Sequence, residues 1–288
     1  MRAGHTFATR SDTEVLLHGY EQWGKEMLQK LRGMFTFAIW DRKNETLFCA
    51  RDHFGIKPFY YYQNDAGELL FGSEIKSFLA HPGFKKELNE EQLPLYLSYQ
   101  YSPGEDTFFK GVKKLMPAHW LEWKAGQLTV QRYWQPKFDP DDSRTLEEWE
   151  DEISAAMKES VQAHKIADVE VGSFLSSGVD SSYMAALAHV DKTFTVALPT
   201  SSMTKPTMHR SFPSTSGSRI TLTALRRRNT GPTWARSSTT WMSLWRMPLR
   251  SRCTLSTAKH PSRSRSACPA RVPMNFSAGT TFIKSRLP

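Results

Sequence analysis

The last 90 residues of this 288-residue chain contain no acidic residue. All 29 Asp and Glu residues lie at or before Asp191, whereas 16 of the 38 Lys and Arg residues lie in 199–288. The first 198 residues therefore carry 22 basic and 29 acidic side chains, a formal charge of −7, and the tail carries +16. The net charge of +9 is the sum of two unlike parts. It does not describe one uniformly basic protein.

Cysteines and long apolar runs are also scarce. Cys49, Cys253 and Cys268 show no CxxC spacing and no neighbouring histidine cluster. Neither a disulfide framework nor a cysteine-based zinc site is predicted. The chain has no run of about 18 apolar residues and no signal-peptide core at its start. These absences predict a soluble cytoplasmic protein that has no membrane partner.

Residues 1–133 have the pattern of an α+β layered domain. Apolar residues at helical spacing predict a helix over 13–31 that Gly33 stops. Alternating residues then predict a hairpin and two further strands, separated by polar turns. The expected strands are 34–40, 46–50, 59–62 and 68–72.

The segment 134–147 is polar and contains prolines, which indicates a linker, and residues 148–198 begin a second domain. The sequence after the linker predicts in turn a helix, a strand, a polar loop, a helix and a strand. Their expected ranges are 146–166, 169–175, 176–181, 182–190 and 193–198. A strand–loop–helix–strand unit opens a parallel doubly wound sheet, whose ligands bind at the carboxyl ends of the strands.

Several segments together resemble the asparagine synthetase family. The first-domain segments are LRGMF, ARDHFGIKP, GSEIK and SDTEV, and the second-domain segment is FLSSGVDSS, at 174–182. The usual loop pattern in the family is SGGxDS, and Ser177 replaces its first glycine. The resemblance runs without interruption over residues 3–198.

The resemblance implies a glutaminase domain of the N-terminal-nucleophile type at 1–133 and the start of an α/β ATP-pyrophosphatase domain at 148–198. It implies that Asp12 binds the amino group of glutamine. ATP would contact Leu175, Ser176, Ser177, Gly178, Asp180, Ser181, Ser182 and Val196. Aspartate, ATP, Mg²⁺ and glutamine or ammonia are the implied reactants, and a homodimer is compatible with the intact family. A related adenylating amidotransferase acting on another carboxylate is the alternative within the class, and a non-catalytic fragment with a basic tail is the alternative outside it.

The polar loop also has a physical rationale of its own. A glycine and hydroxyls before a helix N-terminus aim N–H groups and the positive end of the helix dipole at an anion. Asp180 would repel a bare phosphate, which predicts a Mg²⁺ ion between the two. The alternative is that this serine-rich turn only caps the helix and has no ligand-binding role.

Other candidate residues also have ordinary structural explanations. Asp12 is a candidate helix N-cap, and Arg51 and Asp52 favour a structural ion pair. Cys49 alternates with apolar residues on a strand, which indicates a core cysteine rather than a nucleophile.

The chain is expected to be truncated at its front. The family nucleophile is an N-terminal cysteine whose α-amine serves as base, whereas Arg2 follows Met1 here. No catalytic residue is therefore predicted in this chain, and glutamine hydrolysis is expected to be lost.

The tail, 199–288, is expected to be disordered and out of frame. Its charge would suit a basic arm that binds nucleic acid, but its tryptophans are unusual for such a solvated arm. Back-translation into the neighbouring frame gives DEFDDETNYA from 200–209, DEPLAD within the segment after Asn229, and LSGEGADE from Cys268. The step from Met274 to Asn275 forces a glutamate codon in that frame. The last two strings resemble the family's next ATP-site and aspartate-site motifs, so a nucleic-acid partner is not expected.

Overall fold

The structure is a computed structural model that describes residues 4–167, 169–175, 178–190 and 192–197, together with two later strands. Those strands are Arg219–Ala224 and Ile283–Ser285. The chain divides into two units, residues 1–137 with 281–288, and residues 138–280. None of the described helices is long and apolar enough to cross a bilayer.

The first unit begins with helix α1, Asp12–Trp23, and a 3-10 turn, Gly24–Gln29. Eight strands follow in chain order: β1 Leu31–Gly33, β2 Thr36–Asp41, β3 Thr46–Arg51, β4 Tyr60–Gln63, β5 Leu69–Gly72, β6 Lys113–Lys114, β7 His119–Lys124 and β8 Gln127–Arg132. A second 3-10 turn spans Ile75–Ala80, and helix α2 spans Gln92–Tyr99.

Seven of these strands, β2 to β8, form two antiparallel sheets, ordered β2-β3-β7-β8 and β5-β4-β6. The predicted hairpin is confirmed: Thr36 of β2 pairs with Arg51 of β3, and Asp41 pairs with Thr46. The two strands predicted at 59–62 and 68–72 are confirmed as β4 and β5. The β7–β8 hairpin was not predicted. Its tight turn at Ala125 and Gly126 places both residues at positive φ.

Strand β3 explains the layering of this unit, because it is buried on both faces. Phe48 packs into the cluster that contains Leu16 and Met27 from the helical layer. Cys49 points to the opposite face, as strand geometry requires, and packs against residues of the second sheet such as Tyr61. The far face of that second sheet is covered by the Ile75–Ala80 turn. The unit is therefore built from four layers, two of them helical and two of them sheets.

The second unit contains helix α3, Leu146–His164, strand β9, Ser173–Phe174, helix α4, Val179–Ala188, and strand β10, Lys192–Ala197. A reciprocal capping box starts α3, in which Thr145 and Glu148 each bond the other's backbone N–H. β9 and β10 are parallel, with Thr193 opposite Ser173. A small core joins α3 to α4 through Val161, Ala188 and Val190.

Two predicted elements are shorter in the structure. Helix α1 ends at Trp23 rather than near residue 31, because Gly24 adopts φ 52° and a 3-10 turn replaces the α-helix. The strand predicted over 169–175 pairs only at Ser173–Phe174. Its partner β10 begins at Lys192, so within the described residues the segment before 172 is not paired in this sheet.

The structure describes two strands within the tail, and for the rest of 199–288 the expected disorder stays a prediction. Arg219–Ala224 forms β11, which pairs in parallel with β10 and completes a β11-β10-β9 sheet. Alternating Ile220 and Leu222 with threonines suit a strand, and the open edge of β10 supplies its hydrogen bonds. Ile283–Ser285 forms β12, which pairs antiparallel with β1. The rest of the tail lies outside the described residues.

Candidate functional site

The predicted nucleotide loop leaves the parallel sheet at the carboxyl end of β9. Leu175 is buried, and its N–H donates to the carbonyl oxygen of Phe194 at 3.0 Å. Leu175 thus anchors the point at which the chain turns away from β10. Ser176 and Ser177 follow this anchor and lie outside the described residues.

The loop leads into the N-terminus of α4. Gly178 is the N-cap residue, so the N-cap itself offers no side chain to the first turn, and the structure describes no other side-chain cap there. Gly178 and Asp180 are exposed, and Asp180 lies in that first turn. Backbone N–H groups at an uncapped helix start favour an anion, and the helix dipole adds to the attraction.

The two serines that follow have different surroundings. Ser181 is buried, with 5% of its surface exposed, and its hydroxyl donates to the Gly178 carbonyl at 3.1 Å. Ser182 is half-buried, and its N–H donates to the same carbonyl at 3.1 Å. The Ser181 hydroxyl therefore holds the N-cap residue in place. This bond would have to break before the hydroxyl could donate to a phosphate.

Val196, the last predicted nucleotide contact, lies in β10, the strand that follows α4. Its Cα is in register with Thr223 of β11. β10 lies between β9 and β11 in the sheet, but β9 pairs with it only at Thr193 and Phe194, so the strand paired beside Val196 is β11.

The predicted glutamine contact, Asp12, is the first residue of α1. Ser11 is the N-cap, and its side chain accepts the Thr13 N–H at 3.2 Å. The alternative that Asp12 caps the helix is therefore wrong. The Asp12 side chain is exposed, and the Thr13 hydroxyl lies 3.5 Å from its carboxylate.

Arg51 and Asp52 hold a loop, and each does so through backbone groups rather than through the expected ion pair. The Arg51 guanidinium donates to the carbonyls of Lys57, Leu115 and Gly55 at 2.5–2.7 Å. Burial lowers the pKa of Arg51, and nearby Tyr60 and Asp52 oppose this effect.

The Asp52 carboxylate is 1% exposed and accepts the N–H groups of Phe54, Ile56 and Lys57 at 2.9–3.2 Å. The two side chains together satisfy six backbone groups of this region. The sequence motif ARDHFGIKP is thus a structural clamp in this fold.

Cys49 is confirmed as a core cysteine. It is fully buried on β3, and burial raises the pKa of its thiol to about 12. A thiol that stays protonated at neutral pH is a poor nucleophile. No glutamine-cleaving role is assigned to it.

Two family models match the chain. The glutamine amidotransferase domain matches residues 1–134, and the asparagine synthase model matches residues 152–230. The second match extends 32 residues beyond position 198, where the sequence predicts the change of frame.

The curated relatives agree with these matches. Asparagine synthetase [glutamine-hydrolyzing] 3 of Bacillus subtilis is 38% identical over 193 residues, which cover 66% of this chain and 31% of the relative. Asparagine synthetase [glutamine-hydrolyzing] 1 of the same organism is 40% identical over 187 residues, 64% of this chain and 29% of the relative.

A third relative has a different name. The Penicillium rubens protein Amidase chyE is 36% identical over 186 residues, which cover 63% of this chain and 27% of that protein. The chain thus spans about 30% of the length of the curated relatives it matches. With a glutamine amidotransferase domain followed by the start of an asparagine synthase domain, it belongs to the family of glutamine-hydrolysing asparagine synthetases.

Proposed function

We propose that this chain carries the glutamine-binding and ATP-binding regions of an enzyme that makes asparagine from aspartate. In this reaction the side-chain carboxylate of aspartate attacks the α-phosphorus of ATP, and pyrophosphate leaves. Ammonia from glutamine then displaces AMP from the β-aspartyl-adenylate. The names of the Bacillus subtilis relatives support this reaction.

One observation carries the ATP part of the proposal. The loop between β9 and α4 follows a buried strand end and enters a helix whose N-cap is Gly178. In parallel sheets, such a strand–loop–helix corner is where phosphates bind. We assign the pyrophosphate to the first-turn N–H groups of α4 and to Ser176 and Ser177, and the adenine to the backbone near Val196.

The exposed carboxylate at the same corner fits a magnesium ion. Mg²⁺ prefers carboxylate and phosphate oxygens, and Asp180 presents its side chain to solvent in the first turn of α4. Bound there together with ATP, the ion would offset the negative charge that Asp180 and the phosphates share. Ser181 takes part as a positioning residue, since its hydroxyl fixes the carbonyl of Gly178.

Asp12 is the residue that we assign to glutamine. Because Ser11 already caps α1, the Asp12 carboxylate is exposed and able to accept the amino group of an amino acid. An ammonium–carboxylate hydrogen bond is among the stronger kinds in proteins.

An adenylating amidotransferase that acts on another carboxylate is the second candidate. Amidase chyE shares 36% identity over much the same length of chain, so the matched residues occur in proteins with different names. Aspartate and other carboxylic acids should therefore be compared in the same assay.

Binding of ATP tests the site directly. We expect the full chain to bind Mg-ATP, with pyrophosphate as a competitor, in a calorimetric titration. Asp180→Asn should weaken Mg-ATP binding by about tenfold, the effect of losing one charge-assisted contact of roughly 1.4 kcal/mol. Asp142→Asn, an equally exposed carboxylate outside the loop, should leave binding unchanged. Equal affinity in all three proteins would remove Asp180 from the site.

The change of frame near residue 198 remains a separate proposal. The recovered strings DEPLAD and LSGEGADE support it, whereas the family match to residue 230 and the β11–β10 pairing oppose its position. Resequencing the DNA around the codons for 197–200 tests it. A protein with one base corrected there should form asparagine and pyrophosphate from aspartate, ATP and ammonium, and the uncorrected protein should not. Activity of the uncorrected protein would show that its tail contributes to the site.

A further inference from the structure

Two histidines and a glutamate lie together at the surface of the first unit. His18 and Glu21 are one turn apart on α1, and His5 comes from the segment before the helix. One donor atom from each of the three side chains lies within 4.8 Å of the other two.

The distances in this cluster suit a shared metal ion. The Glu21 carboxylate oxygen Oε2 lies 2.9 Å from Nδ1 of His18 and 3.7 Å from Nδ1 of His5. Donor atoms about 2.0–2.2 Å from a tetrahedral ion are about 3.4 Å apart. The two measured distances lie on either side of this value, so small side-chain movements would complete the geometry.

The outer nitrogens of both imidazoles also face oxygen acceptors. Nε2 of His18 is 3.7 Å from the Glu14 carboxylate, and Nε2 of His5 is 3.1 Å from the side-chain oxygen of Gln22. Histidines that bind metals through one nitrogen commonly donate the other N–H to such a partner, which fixes the tautomer and the ring orientation.

Glu14 is itself held in place by the segment before the helix. Its carboxylate accepts the N–H groups of Ala8 and Thr9 at 2.6 and 2.7 Å, as well as the Thr9 hydroxyl. The segment that contributes His5 is thus tied to α1 through an acceptor that already faces His18.

Ion pairs along the helix account for only part of this arrangement. His18 has Glu14 and Glu21 at the usual four-residue and three-residue spacings. His5 does not belong to the helix, yet its ring centroid lies 4.7 Å from that of His18. If both rings were protonated they would repel each other, whereas two neutral imidazoles beside a carboxylate are a zinc donor set.

We infer that His5, His18 and Glu21 bind a divalent transition-metal ion, with zinc the best match to two nitrogens and one oxygen. The fourth position belongs to water, as in other sites that have three protein ligands. Glu14 and Gln22 orient the imidazoles. The ion fixes the chain before α1 against the helix.

Zinc titration of the full chain, stripped with a chelator, tests the site. Calorimetry should show one zinc ion whose affinity falls at least about 100-fold in both His5→Ala and Glu21→Gln, since each removes a ligand. Glu14→Gln should weaken binding by about 10–100-fold through the outer contact. His81→Ala and Glu26→Gln, which remove like side chains elsewhere in the same unit, should have no effect. Mg²⁺ should not compete, because it prefers oxygen ligands.

Two further measurements separate this site from the cysteines of the chain. The Co²⁺ form should lack a thiolate charge-transfer band, because no cysteine is a ligand. Zinc should raise the melting temperature of the wild type but not of Glu21→Gln, whose substituted side chain is largely exposed and therefore tolerant of change. Unchanged zinc affinity in His5→Ala, Glu21→Gln and Glu14→Gln, or a thiolate band with Co²⁺, would overturn the inference.

Discussion

The two units differ in whether side chains bond the backbone polar groups of one of their loops. In residues 1–137, the loop after β3 turns inward, and buried Arg51 and Asp52 satisfy its carbonyl and N–H groups. In the second unit, the loop after β9 ends at an exposed Gly178 that leaves the start of α4 without a side-chain cap. Satisfied polar groups stabilise a fold, whereas exposed donors can bind a ligand. The first loop is therefore a stability element, and the second is the loop that we propose binds a ligand.

The strand connections of the two units also differ. In the first unit β2–β3, β4–β5 and β7–β8 are hairpins, β3–β7 and β4–β6 pair across longer stretches of chain, and β3 is buried between two layers. The described sheet of the second unit is parallel, and its outer strand β11 comes from beyond residue 218. Parallel strands need crossover connections, and helix α4 lies in the connection between β9 and β10.

The largest expected loss of stability comes from a substitution in the loop after β3. Asp52→Ala should lower the free energy of unfolding by about 3–5 kcal/mol, because three N–H groups lose a charged acceptor in a buried place. Chemical denaturation monitored by tryptophan fluorescence measures this change. Asp65→Ala, which removes an exposed carboxylate paired with Lys85, should cost far less, because solvent screens an exposed ion pair. A similar cost for both variants would mean that the Asp52 clamp contributes little.

A glycine in the same loop gives the next largest effect. Gly55 has φ +62°, and an added Cβ would lie 2.8 Å from Cγ of Pro117 and 3.0 Å from Cζ of Arg51. Gly55→Ala should therefore destabilise the protein by about 2–4 kcal/mol, through backbone strain and overlap together.

Gly67 provides the matched control, because it has φ +80° and open space where a Cβ would lie. Gly67→Ala should cost only the strain, about 1 kcal/mol. The difference between the two variants isolates the close contact with the Arg51 clamp. Equal costs would show that strain alone explains both.

Short-range patterns in the sequence predicted much of this fold. Alternation and turn residues placed β2, β3, β4 and β5, because each depends on side chains within a few residues. The end of α1 was misplaced, since the apolar spacing continues past Gly24 through Met27 and Leu28, which are buried in a 3-10 turn instead. The pairing of β12 with β1 joins residues about 250 positions apart, and no local pattern encodes it.

The candidate sites also differ in how far local sequence predicts them. The sequence suggested the loop before α4 because strand, loop and helix are contiguous. It did not suggest the metal cluster, since His5 reaches His18 only through the folded path of the chain. The spacing of His18 and Glu21 on one helix face was the only local signal. Arg51 and Asp52 were noticed, but their partners could not be deduced, because Leu115 lies 64 residues away.

The smallest expected effect comes from the N-terminal cap of helix α3 in the second unit. Thr145 and Glu148 form a complete capping box at α3, whose Val161 shares a core with Ala188 of α4. Thr145→Ala should cost about 1 kcal/mol and so speed hydrogen exchange of the first-turn amides of α3 by about fivefold. Ser143→Ala, two residues earlier in the turn, removes a hydroxyl that bonds only Asp141 and should leave that exchange unchanged. The slow amides around β3 should not respond to either variant, because their protection comes from the four layers of the first unit. Faster exchange at β3 in Thr145→Ala would mean that the two units do not unfold independently. The two loops could then not be compared as features of separate folding units.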